Sequence, residues 1–338
     1  MIELTQHRAP PSRRWPYVLL MLIVVGFVVP ASIAFSTPWP AVSLFIRPLF
    51  NEKLPVTPRI STAMQLVTIS APMQFAVDQA PPASLVFIAP KIKTSGPRPV
   101  ILWIHGGGWV AGSADQMNGY LSVLASNGFT IAILEYSLAP ENLYPVAMRQ
   151  AVTALTVIRQ HAQDYGGDPT RLVIAGDSAG AQMASQLAAM ITNDELARQV
   201  GIPIQFPAQS LRGVMLLSGL YDMYTVPRTG FLAMDTFLWA YIGQRHYLRT
   251  RAADEMSTAK HTTSAFPPTY INDGDDDPFE SQAYEFEAIL RRQGVPVTSR
   301  YWTWSGRKLP HVYHYDVEAE PGQLVLKDMI AFVHGTTS

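Results

Sequence analysis

Short apolar runs recur along the chain from residue 64 onward, and segments with helical spacing separate them. Val100 to Ile104 is apolar at every position, which indicates a strand buried on both faces, as in a parallel sheet. The segment from Val146 to His161 has apolar residues at helical intervals, and a later helix is expected to end near Gly294. Eight runs predict strands: 65–69, 84–89, 100–104, 130–134, 172–175, 214–217, 269–271 and 297–302. The alternation predicts an α/β fold, with a mostly parallel eight-stranded sheet and helices on both faces.

One long segment interrupts this alternation. Residues 220–264 contain helical runs with aromatic side chains and fall between two predicted core strands. We expect this insertion to form a helical cap within a catalytic domain at 64–335. Its aromatic residues either line an acyl pocket or pack against the body of the domain.

The N-terminal region differs in character. Residues 15–35 carry no charged side chain, and Arg8, Arg13 and Arg14 precede them. This length suffices to cross a bilayer, and the arginines place residues 1–14 in the cytoplasm and the catalytic domain outside. The favoured hypothesis is a single-pass signal anchor. The alternatives are export after signal-peptide cleavage behind Ala34, and a buried core helix.

Residues 36–63 form a separate juxtamembrane segment in this interpretation. Its first part is rich in proline and large apolar side chains. Two roles stay open for it: an interfacial segment that lies against a membrane, and a part of the cap over the catalytic end.

Composition adds mainly exclusions. The 338 residues have a formal net charge of −1, and no basic patch is evident, which argues against a nucleic-acid partner. The chain has no cysteine, so disulfides, thiolate catalysis and cysteine-based metal sites are excluded. The sequence does not indicate the oligomeric state.

The chemistry-bearing pattern is Gly176-Asp177-Ser178-Ala179-Gly180, set between an apolar run and a run of small residues. This order predicts a strand, a sharp turn and a helix, with Ser178 at the apex of the turn. Such a turn crowds its neighbours, so only residues without a Cβ fit two positions away on either side. The pattern is typical of a nucleophile elbow.

A second pattern, His105-Gly106-Gly107-Gly108-Trp109, follows the predicted strand at 100–104. Three consecutive glycines permit a loop whose N–H groups point toward one position. Such a loop stabilises a developing oxyanion by about 3 kcal/mol for each donor. The alternative is a flexible turn.

With these motifs the chain resembles the hormone-sensitive-lipase-like family of α/β-hydrolase esterases over roughly residues 60–335. The resemblance is carried by five motifs in the family's order: 105–109, 136–147, 176–180, 277–279 and 310–313. Two positions depart from the common pattern, Ala181 and Ser137, and these put substrate detail in question rather than chemistry.

The resemblance implies a catalytic triad of Ser178, His311 and Asp277. From the residues alone, four carboxylates between 273 and 277 are candidates for the acid. The family's spacing selects Asp277, with Asp276 as the main alternative. It likewise favours His311 over the neighbouring His314.

The candidate oxyanion hole comprises Gly106, Gly107, Gly108 and Ala179. The N–H groups of Gly107, Gly108 and Ala179 are the expected donors, whereas Gly106 shapes the turn. His105 is expected to order this loop, Asp177 to support the elbow and Glu141 to fix a loop.

The leading functional hypothesis is a carboxylic-ester hydrolase that works through an acyl-serine. The expected partners are a small to medium acyl ester and, through the N-terminal apolar segment, a membrane. No cofactor or metal is implied. The alternatives are an acyltransferase that uses an alcohol or amine as acceptor, and a non-catalytic binding module on the same scaffold.

Overall fold

The computed structural model of the protein describes residues 21–23, 25–26, 32, 36–51, 53–92, 96–231 and 233–338. These residues form a nine-stranded sheet in the order β1-β3-β5-β4-β6-β7-β8-β9, with β2 also paired to β3. The pairs β1–β3, β2–β3 and β3–β5 are antiparallel, and the others are parallel. The strands are Val67–Ile69, Met73–Val77, Ala80–Pro90, Arg98–Ile104, Thr130–Glu135, Gly167–Asp177, Leu211–Leu217, Thr269–Asn272 and Val297–Arg300, numbered β1 to β9.

The α/β-hydrolase fold is confirmed, but the predicted count of eight strands is wrong by one. The additional strand is β2, whose residues alternate between intermediate burial and exposure. It pairs with β3 through a two-residue turn, Asp78-Gln79, in which Gln79 has φ 55°. Because hairpin turns usually place glycine at such positions, the sequence gives no clear sign of this hairpin.

Helices cover both faces of the sheet. They are Pro58–Leu66, Ala114–Ala125, Val146–His161, Ala179–Thr192, Asp194–Val200, Met234–Ile242, Arg251–Met256, Glu280–Arg292 and Glu320–Thr337, here α1 to α9. The helix predicted at 146–161 is α3. The first predicted strand begins later than expected, because residues up to Leu66 belong to α1.

The central strand β4 shows why its sequence is apolar throughout. Val100, Leu102 and Ile104 belong to one hydrophobic cluster, whereas Ile101 and Trp103 belong to the cluster on the opposite face. Successive side chains of a strand point to opposite faces, so a strand covered on both sides needs apolar residues at every position. All five side chains are fully buried.

The insertion between β7 and β8 contains α6 and α7, at the position where the cap at 220–264 was predicted. Phe237 and Tyr241 of α6 are buried in the same cluster as the sheet face beneath them. Phe237 also lines a pocket beside Ser178. Aromatic residues of the insertion therefore both pack against the body of the domain and line a pocket.

Most of the apolar run 15–35 lies outside the described residues, as does the whole of 1–14. Within the part of the chain that is described, no helix is both long and apolar enough to cross a membrane. Residues 36–51, here called the flap, contain three consecutive helical pieces, Trp39–Ala41, Val42–Ile46 and Arg47–Phe50. The flap packs on the domain through Val42 and Ile46.

Candidate active site

The four predicted elements of the site meet at one edge of the sheet. Ser178 follows β6 and the glycine loop follows β4, while Asp277 and His311 lie beyond the ends of β8 and β9. These strands are parallel, so their carboxyl ends lie along the same edge, where α/β proteins bind ligands. Residues remote in the sequence are thereby brought together.

Ser178 has the strained backbone expected at the apex of the turn. Its φ is 53° and ψ is −123°, a conformation that non-glycine residues rarely adopt. A Cβ on Gly180 would lie 2.0 Å from the carbonyl oxygen of Ile104, and a Cβ on Gly176 would lie 2.5 Å from the backbone of Gly180. The prediction that both flanking positions require glycine is confirmed.

A chain of two hydrogen bonds joins three of the predicted residues. Nε2 of His311 lies 3.0 Å from Oγ of Ser178, and Nδ1 of the same ring lies 2.9 Å from Oδ2 of Asp277. The other oxygen of Asp277 accepts a hydrogen bond of 2.9 Å from the N–H of Phe279. The carboxylate therefore holds the imidazole and the start of α8 at the same time.

Asp277 is suited to remain ionised. Burial raises the pKa of its carboxyl, but the charge and hydrogen bond of His311, with the hydrogen bond from the N–H of Phe279, outweigh burial and hold the pKa at about 2. Asp273 is fully buried, and burial followed by the neighbouring charge of Asp277 raises its pKa well above the ordinary value. Neither carboxyl oxygen of Asp273 has a hydrogen-bond partner among the described residues.

The competing candidates occupy different environments. Asp276 is exposed to solvent. Asp275 accepts hydrogen bonds from the backbone of Arg307 and Leu309 and so holds the loop that precedes His311. His314 is completely buried, and neither of its ring nitrogens has a hydrogen-bond partner among the described residues.

The glycine loop curls beside Ser178 as the sequence suggests. Gly107 and Gly108 have φ values of 102° and 61°. Within the described residues, the N–H groups of Gly107, Gly108 and Ala179 have no recorded partner, so they are available to a ligand. The N–H of Gly106 instead donates to Oδ2 of Asp177 at 3.1 Å, which removes it from the candidate donors and leaves it a shaping role.

Asp177 lies beneath the elbow and connects it to the glycine loop. Its Oδ1 accepts a hydrogen bond from Nε1 of Trp103 on β4. Burial raises the pKa of Asp177 to about 6, although hydrogen bonds from Tyr315, Trp103 and Gly106 oppose this shift. His105 is buried as well, and burial lowers its pKa to about 4, so the ring is neutral at pH 7.

Comparison with known proteins agrees with the observed fold. Residues 101–314, more than half of the chain, match the model of a protein family whose description is alpha/beta hydrolase fold. The chain belongs to the hormone-sensitive-lipase-like family of α/β hydrolases. Proteins that resemble it include the carboxylesterase NlhH and the esterase LipI of Mycobacterium tuberculosis, each 28% identical, over 59% and 64% of this chain.

The matched regions cover 62% of the length of NlhH and 67% of that of LipI. Among solved structures, a bacterial heroin esterase superposes with a TM-score of 0.67 at 24% identity, over 81% of this chain and 86% of that one. Esterase B from Lactobacillus Rhamnosis superposes with a TM-score of 0.70 at 20% identity, over 82% and 90% of the two chains. These identities support the shared fold alone.

In this family member, the cavity at the serine has two lobes. The larger, of about 230 Å³, is lined by Ser178, His311 and Gly107, and by Leu49 and Phe50 of the flap. The smaller, of about 20 Å³, is mainly apolar and is lined by Ala179 together with Phe231, Phe237 and Phe279. Among the described residues, no group of three or more His, Asp or Glu side chains is arranged to hold a metal ion.

Sequence reasoning missed how the flap is attached. Nη1 of Arg47 lies 2.6 Å from Oε1 of Glu141, and the same guanidinium donates to the carbonyl oxygens of Val110 and Ala139. Phe50 packs edge-on against Phe237 with ring centroids 5.8 Å apart. The sequence did offer one sign of a specific partner for Arg47, because it is the only charged residue between positions 15 and 51.

Proposed function

We propose that the protein is a carboxylic-ester hydrolase in which Ser178, His311 and Asp277 form a catalytic triad. The main support is the hydrogen-bonded chain from Oγ of Ser178 through the imidazole of His311 to Asp277. The N–H groups of the glycine loop and Ala179 that are unpaired within the described residues lie beside it. The esterase names of the relatives support the same activity.

In the proposed reaction, Oγ of Ser178 attacks the ester carbonyl carbon while Nε2 of His311 accepts the hydroxyl proton. The carbonyl oxygen becomes an oxyanion that receives hydrogen bonds from Gly107, Gly108 and Ala179. Asp277 stays ionised, keeps the ring oriented and stabilises the imidazolium. The ring then gives its proton to the leaving alcohol as the C–O bond breaks.

The second half repeats these steps with water. His311 takes a proton from a water molecule, whose oxygen attacks the acyl-serine carbonyl. Collapse of the second tetrahedral intermediate releases the carboxylic acid, and the proton returns to Ser178. Transfer of the acyl group to an alcohol or amine would differ from hydrolysis only in this second half. No observation on the described residues favours transfer over hydrolysis.

The test compares two serines of the same region. Ser178→Ala is expected to lower kcat on p-nitrophenyl acetate by on the order of 10⁴-fold or more and to abolish labelling by a fluorophosphonate. Ser185→Ala on α4 serves as the control, because Ser185 is buried and hydrogen-bonded to Gln182 and Thr258 away from the cavity. Near-native activity or labelling of Ser178→Ala would refute the assignment.

For the N-terminal region we propose a cytoplasmic segment at 1–14, a single-pass anchor at 15–35, a juxtamembrane segment at 36–63 and an extracytoplasmic catalytic domain at 64–335. The uncharged run and the preceding arginines support it. Because the chain has no cysteine, Ser338→Cys provides a unique thiol at the C-terminus. An impermeant maleimide should label it in intact cells; labelling only after lysis contradicts this orientation, and a mature chain that starts near residue 35 indicates export with cleavage.

A further inference from the structure

The flap presents a surface of large apolar side chains to the outside. Leu44 is 67% exposed, Phe45 72% and Leu49 72%, and Trp39 is 42% exposed. The opposite side of the flap is buried against the domain. Solvent-facing helices of soluble proteins usually carry charged residues on such a side, so the outward side of the flap is unusual.

The flap has one charged side chain, and that side chain points inward. From residue 15 to residue 51 the only charged residue is Arg47. Its Nε donates to the carbonyl oxygen of Val110 at 2.8 Å, and its Nη atoms contact Glu141 and the carbonyl oxygen of Ala139. The hydrogen bond from Arg47 is also the main cause that lowers the pKa of Glu141. No charge therefore remains on the outward side.

The flap adjoins two other apolar parts of the protein, one in the structure and one in the sequence. Toward the catalytic centre, Leu49 and Phe50, with the nearby Leu54, line the same cavity as Ser178 and His311. Toward the N-terminus, the flap follows directly on the uncharged residues 15–35. The flap thus adjoins the uncharged run 15–35 in the sequence and lines the cavity of Ser178 in the structure.

We propose that the outward side of the flap lies in the apolar region of a lipid bilayer and that the cavity takes its substrate, an ester dissolved in that bilayer, past Leu49 and Phe50. A bilayer is the occupant that fits, because the surface is uncharged and continues a stretch long enough to span one. The substrate class rests on the proposed hydrolase function, whereas the location of the flap does not.

The first experiment locates the flap without using activity. Phe45→Cys and Ile92→Cys each introduce the only thiol of the chain, for labelling with an environment-sensitive fluorophore. Ile92 is the matched control, since it is 71% exposed and follows β3 near the start of β4, away from the catalytic edge. In phosphatidylcholine vesicles that contain doxyl-labelled lipid, the label at 45 should be quenched at least threefold more than that at 92.

Equal quenching at the two positions would overturn the proposal. Disulfide pairing between Phe45→Cys chains without lipid quenching would also overturn it, because a second copy of the chain would then cover the flap. These readouts stay valid even if Ser178→Ala shows that the proposed chemistry is wrong.

The second experiment tests the substrate class. The double variant Leu44→Ser, Phe45→Ser retains residues 15–35 and does not alter the cavity lining. In vesicles we expect at least a tenfold loss of kcat/KM on p-nitrophenyl palmitate dissolved in the bilayer, with less than a twofold change on water-soluble p-nitrophenyl acetate. Ile92→Ser should leave both rates unchanged, and equal losses on the two esters in the double variant would refute the role.

Discussion

The buried imidazole of His314 should make the stability of the protein depend on pH. The ring lies among the aromatic rings of Tyr120, Tyr313 and Tyr315, with no exposed surface. Burial, followed by the charge of His311, lowers the pKa of His314 to about 3, although Asp277 partly opposes this. In an unfolded chain the pKa of a histidine is near 6.5.

The sign of the effect follows from proton binding. Between pH 6.5 and about pH 3 the unfolded chain binds a proton at this residue and the folded chain does not, so acidification favours unfolding. The free energy of unfolding should therefore fall by about 1.4 kcal/mol for each pH unit in this window. At pH 4.5 the contribution of His314 amounts to a loss of about 3 kcal/mol relative to neutral pH.

His314→Phe keeps a planar ring and removes the titration. We predict that its loss of unfolding free energy between pH 7 and pH 4.5, from equilibrium urea denaturation, is smaller than that of the native chain by about 3 kcal/mol. Any cost of the larger ring should be the same at each pH. Ester hydrolysis at pH 7 should persist, because His311 is the ring in contact with Ser178.

His246→Phe provides the control, since His246 is exposed and the same replacement there removes no buried imidazole. His105 should maintain a similar slope in every variant, because its own pKa is lowered to about 4 by burial. Parallel pH profiles for the native chain and His314→Phe would refute the reasoning.

Two further predictions concern the glycine loop and the attachment of the flap. Gly108→Ala should lower kcat by about 10²-fold or more, because a Cβ there would lie 2.2 Å from the ring of Phe237. The control is Gly201→Ala, which should retain activity because Gly201 has a similar positive φ but open space around it. Equal kcat values for the two variants would contradict this prediction. Glu141→Gln weakens the attachment of Arg47 and should increase deuterium uptake by residues 36–51, with a stability cost below about 1 kcal/mol because the pair is partly exposed. Unchanged uptake would show that the ion pair does not fasten the flap.

The parts of the site that the sequence predicts well are those with local constraints. The turn at Ser178 needs glycine on both sides within five residues, and the parallel strands then place the loops after β4, β6 and β8 at one edge. Among the acidic residues near 277, however, the residues alone leave four candidates, and only the spacing of the resembling family selects Asp277. Burial and contacts separate them, as with exposed Asp276 and the buried acid Asp273.

The features that escaped prediction depend on long-range contacts or on unusual backbone. Arg47 and Glu141 lie 94 residues apart, so no local pattern reports their contact. Strand β2 is short, half exposed and joined by a turn without glycine. Both cases were decided by tertiary packing, which overrides weak local preferences.

The left-handed backbone of Ser178 implies a conflict between durability and chemistry. A residue with a side chain in such a conformation costs of order 1–3 kcal/mol, and the surrounding strand and helix must hold it there. Replacement by glycine would relieve this cost, so Ser178→Gly is expected to raise the thermal stability of the fold. A serine rather than a glycine at the apex of this turn therefore comes at the expense of heat resistance.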